Sequence, residues 1–137
     1  MADLYNHYKG VEPGSITSAT ASLKSKVEQL KSKVSSLKTS LSDDVWKAGA
    51  KATLLEAFDK IEGEVCEDIL SKLANADEIA GLVEKYNTAK EKAEDYSSSL
   101  NSPDDDTSEE TINTWRQGKK DQEQIMRDCV SEINGLL

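Results

Sequence analysis

The chain is expected to be all-α, on three observations. Apolar residues recur at steps of three and four over long stretches, Gly and Pro number only 7 and 2 in 137 residues, and Val, Ile and Thr never alternate with polar residues over a strand's length. Aromatic residues make up 5% of the chain, so its core must be built from Leu, Val, Ile and Ala, a set suited to thin helical packing. A long antiparallel helical hairpin, about 15–42 and 45–98, followed by a C-terminal helix at about 108–135, fits this pattern. The rival arrangement is a four-helix bundle broken near 75–77.

Residues 1–14, ending in Glu12-Pro13-Gly14, read as a flexible N-terminal arm. In the first helix Leu23, Val27, Leu30, Val34, Leu37 and Leu41 alternate steps of four and three, a coiled-coil seam assigned to holding the hairpin together. Ser42-Asp43-Asp44 carries helix-capping residues and marks the turn, with Trp46 just beyond it. Leu55, Phe58, Ile61, Val65, Ile69 and Leu73 form a second stripe, continued by Ile79, Leu82, Tyr86, Ala89, Ala93, Tyr96 and Leu100. Asn75-Ala76-Asp77 is the one plausible break in it. The hairpin thus occupies 15–100, an acidic linker 101–107, and the last helix 108–137, opened by a capping box of Thr107 and Glu110. Trp115, Gln122, Ile125, Cys129, Ile133 and Leu136 give that helix its apolar stripe.

The charge is uneven. Residues 16–41 contain five lysines and one glutamate, a local +4 within a chain of net charge −9. This basic rod lacks the Arg and stacking aromatics of a nucleic-acid surface, and the acidic whole disfavours nucleic acid as a partner. No stretch nears the ~20 apolar residues of a membrane span, so no stable membrane insertion is expected. No leader-like apolar run opens the sequence, which leads to an expectation of cytoplasmic synthesis, with any export using a route that reads no cleaved signal.

Catalytic equipment is sparse. His7 is the sole imidazole, no phosphate-cradling glycine loop occurs, and Cys66 and Cys129 lack metal-ligand spacing and read as buried thiols, the alternative being a bridge between two packed helices if the protein leaves the cell. Glu62, Glu64, Glu67 and Asp68 lack the Glu-x-x-His element of a di-metal bundle. The expectation is a non-enzymatic protein with no catalytic residue, no cofactor and no metal.

The turn Asp43-Asp44-Val45-Trp46-Lys47-Ala48-Gly49-Ala50, set between a 3-4 seam and a second amphipathic helix, resembles that of the WXG superfamily. The turn motif falls on Trp46, Ala48 and Gly49, with Ala where the family has Gly and Gly one step later. The family's Tyr-x-x-x-Asp/Glu export tag has no match after the second helix, since Lys90 follows Tyr86 and Leu100 follows Tyr96 at that spacing. The resemblance covers roughly Ser15 to Leu100, and the extra helix is similar to the longer proteins linked to LXG toxins. It implies a component of a type VII (ESX) secretion system, either a secreted substrate or a targeting or chaperone partner. Its partner would be a second copy, another WXG-like protein or the N-terminal helices of an LXG toxin. Phe58, Val65, Ile69 and Tyr86 form the expected partner face. The alternative is a self-contained helical adaptor or scaffold unrelated to secretion.

Overall fold

A computed structural model describes residues 4–41 and 48–137. The chain is all-α: a 3₁₀ turn (Leu4–Asn6), α1 (Pro13–Ser40), α2 (Ala48–Asp59), a π-helical segment (Lys60–Cys66), α3 (Glu67–Asn101) and α4 (Glu109–Leu136). Helix α2, the π segment and α3 follow one another without a break. The helix therefore continues through Asn75-Ala76-Asp77, and the broken four-helix alternative is ruled out. Each residue there has ordinary helix propensity, and without Gly or Pro nothing outweighs the cooperative gain of continuing the helix.

Two compact units divide the chain, Gly14–Asp77 and Met1–Pro13 with Glu78–Leu137. The first unit is a hairpin whose antiparallel sense follows from its cross-helix pairs. Thr20 hydrogen-bonds Asp77, Lys31 pairs with Glu67 at 2.5 Å, and Lys38 with Asp59 at 2.6 Å. Proline at the first position of α1 suits a helix start, where its missing N–H costs no hydrogen bond. Thr20, Val27, Val34 and Leu41, seven residues apart, are the buried row of α1. Cys66 is fully buried on the opposite strand of the hairpin.

The second unit packs α3 against α4 around Leu82, Val83, Tyr86, Ala89, Ala93, Met126, Cys129 and Ile133. Alanines at 89 and 93 let the helices approach closely there. A Cβ on Gly118 would come within 2.5 Å of the Tyr96 ring, so glycine at this position gives the ring its place. The cap of α4 is Ser108, whose hydroxyl accepts from the Thr111 N–H at 3.2 Å. Thr107 instead closes the preceding turn, its N–H bonded to the Asp104 carbonyl at 2.9 Å. The expected Thr107–Glu110 box is thus displaced by one residue. Ser108 has the extended backbone (φ −68°, ψ 151°) of an N-cap.

The N-terminal arm does not hang free. Tyr5, Tyr8 and Val11 pack against the α3–α4 core as a strap. Tyr8 meets Tyr86 edge to face at 4.9 Å, and the chain then turns at Gly10, the one positive-φ residue (84°) among those described. Burial of Val34 against exposure of Leu30 on the same helix gives a direct test. Val34→Asp should cost about 3 kcal/mol in chemical denaturation, by lost burial and an uncompensated charge, whereas Leu30→Asp should cost less than about 1 kcal/mol.

Candidate partner-docking face

The heptad seam of α1 splits into two rows with opposite fates. Val27, Val34 and Leu41 are 4–9% exposed, while Leu23, Leu30 and Leu37 are 43–50% exposed. The expectation that all six hold the hairpin together is therefore corrected. A single neighbouring helix covers one row of α1, and the second row, displaced by about 60° around the helix, stays on its flank.

The π segment decides what the other side of the hairpin presents. In an unbroken α-helix the stripe Phe58, Ile61, Val65, Ile69 would face one way. The wider turns of a π-helix take up an extra residue and rotate everything beyond it. Cys66 consequently occupies the buried position, and Val65 and Ile69 are 49% and 36% exposed.

Charge pairing shows that these residues share a flank. Around α1, Lys31 lies about 40° to one side of Val27 and Leu30 about 60° to the other. Around the opposite helix, Glu67 lies to one side of Cys66 and Val65 and Ile69 to the other. Lys31 bonds Glu67, so one flank of the hairpin carries Lys31, Lys38, Asp59, Glu62 and Glu67 in ion pairs. The other flank carries Leu30 and Leu37 of α1 beside Val65 and Ile69. Hydrogen bonds donated to Asp59 and Glu62 raise the Lys38 ammonium above its ordinary range, and the bond to the Glu67 carboxylate does the same for Lys31.

The remaining expected site residues fall elsewhere. Phe58 is half-buried within the hairpin. Tyr86 is 1% exposed in the core of the other unit, which removes it from any partner face. Its place in the 3-4 pattern marks it as apolar-facing, and the α4 helix supplies the cover. Of the turn motif, Trp46 lies outside the described residues, and Ala48 is the first residue of α2. Gly49 is exposed, and a Cβ there would meet nothing within 4 Å among the described residues. Met126, fully buried, was missing from the expected α4 stripe. It follows Gln122 by four and precedes Cys129 by three, which is the signal that could have found it.

Elsewhere, the strap contains a tyrosine whose phenol is strongly shifted. Tyr5 Oη donates to Glu123 Oε1 at 2.7 Å. Burial and that neighbouring carboxylate push its phenol up to about 12. Burial likewise raises the Cys129 thiol. Among the described residues no cluster of His, Cys, Asp and Glu is arranged to hold a metal ion, and no helix is long and apolar enough to cross a membrane. No sequence-family profile, curated protein or solved structure matches the chain.

The raised Tyr5 pKa has a definite pH consequence. The neutral phenol is favoured by folding, so its stabilisation is complete below the ordinary tyrosine value near 10 and is lost as pH rises through about 12. Tyrosinate absorbance should therefore show a late phase near pH 12 that Tyr5→Phe diminishes. An unchanged titration in that variant would place the Tyr5 contact in error.

Proposed function

We propose that the protein is a non-enzymatic, WXG-like component of a type VII secretion system, acting as a secreted substrate or as a targeting or chaperone partner by helix-to-helix pairing. The observation that carries this reading is the row Leu23, Leu30 and Leu37 left half-exposed on a hairpin that already has a packed seam. A self-contained bundle would turn its apolar rows inward, so the half-exposed row supports pairing with another helix. Covering it would yield roughly 25 cal/mol per Å² of apolar surface, enough over a helix face to hold a partner that would aggregate alone. The Trp46 turn and the hairpin around it supply the family resemblance. The face available to the partner is Leu23, Leu30, Leu37, Val65 and Ile69, with Val65 and Ile69 kept from the sequence reading.

Co-expression with each WXG-like protein and each LXG-toxin N-terminal region of the same genome provides the test. One of them should co-purify as a stable complex, and Leu30→Asp with Ile69→Asp should abolish that complex while leaving far-ultraviolet circular dichroism unchanged. Failure of every such protein to bind would remove the secretion reading. A complex insensitive to both substitutions would remove the assignment of the face.

A further inference from the structure

Four of the five lysines of α1 divide between its two flanks, and the fifth, Lys24, lies seven residues before Lys31, exposed and with no salt bridge among the described residues. On the flank facing Asp59, Glu62 and Glu67, Lys31 and Lys38 are engaged in ion pairs at 2.5–2.9 Å. On the flank of the exposed leucines, Lys26 and Lys33 are exposed and have no salt bridge among the described residues. They are seven residues apart and each sits four residues before a leucine of the open row, Leu30 or Leu37. In coiled-coil terms Leu23, Leu30 and Leu37 take one core position, and Lys26 and Lys33 the charged position bordering it, where side chains select the partner. On its α1 edge the apolar row is bordered by lysine alone, while the Val65–Ile69 edge carries the Asp68–Lys72 pair, so the α1 edge favours opposite charge across the contact and penalises like charge.

From this we infer that the leucine flank of the hairpin receives an amphipathic helix of another protein, whose apolar stripe covers Leu23, Leu30, Leu37, Val65 and Ile69 and whose bordering carboxylates meet Lys26 and Lys33. The inference rests on the helix-pairing reading above and adds the chemistry of the partner: an acidic helix. A second copy of this chain suits the rim less well. Its own open row carries the same lysines, and its Asp68, next to Ile69, is engaged by Lys72 at 2.9 Å.

The probe is a dye-labelled designed helix of about four heptads with Leu at the core positions and Glu at the bordering ones, compared with its Lys counterpart. Binding to the full chain is followed by fluorescence anisotropy at about 0.15 M salt, where screening over roughly 8 Å suppresses the global charge. The protein's net charge would favour the Lys peptide, so a preference for the Glu peptide reports the local rim. The Glu peptide should bind about tenfold more tightly than the Lys peptide. Lys26→Glu with Lys33→Glu, both at exposed positions, should reverse that order, and Leu30→Asp with Ile69→Asp should abolish binding of either peptide.

Equal binding of the two peptides, no binding of the Glu peptide, or a preference unmoved by the lysine substitutions would overturn the inference. So would sedimentation showing that the free chain dimerises through this face, because the occupant would then be a second copy. If a type VII partner forms a complex while the peptide preference is absent, the acidic-helix inference falls and the helix-pairing reading stands. With the preference as expected and no type VII protein binding, the secretion reading falls and the surface assignment stands.

Discussion

The hairpin depends on one buried row: Thr20, Val27, Val34 and Leu41 of α1 against the Cys66 side of the opposite helix. Two antiparallel helices can share only one such row deeply, because each offers its neighbour a narrow arc of surface. Every other apolar position on α1 is then a flank residue, whatever its sequence periodicity suggests. Cross-helix pairs at Thr20–Asp77, Lys31–Glu67 and Lys38–Asp59 accompany that row and fix the register. The two ion pairs among them add little stability and mark the charged flank.

The π segment is the second determinant. A regular α-helix from Ala48 onward would rotate Val65 and Ile69 toward the packed side, and the hairpin would then present less apolar surface to solvent. With the extra residue absorbed between Lys60 and Cys66, Cys66 is buried and Val65 and Ile69 are presented next to Leu30. π turns persist where their weaker hydrogen-bond geometry is offset by what they position. Here the positioned feature is a ridge of aliphatic side chains.

The helices and their apolar positions could be read from the sequence, because steps of three and four survive in any packing. The row that faces inward could not be read. Leu30 and Val34 fit the same heptad equally well, and only the number of neighbouring helices separates them. The π turn left no clear mark beyond Gly63 near its middle, so the stripe to which Val65 and Ile69 were assigned is interrupted, and both residues are exposed. The strap was invisible to periodicity, since Tyr5, Tyr8 and Val11 dock through a 3₁₀ turn and a positive-φ glycine and not along a helix. Tyr86 was misassigned for the reverse reason. Its helical phase is right for an apolar face, but α4 and the strap already cover it.

The hairpin is lined on one flank by charge pairs and leaves leucines half-exposed on the other. The second unit, with its own core and strap, needs no further cover for its Tyr86, Met126 and Cys129 cluster. Methyl relaxation enhancement by a soluble paramagnetic agent, recorded on the free chain, measures the division of the seam most directly. Leu23, Leu30, Leu37, Val65 and Ile69 methyls should broaden strongly while those of Val27 and Val34 remain sharp. Protection of Leu30 equal to that of Val34 would mean that the flank is already filled and would contradict the account.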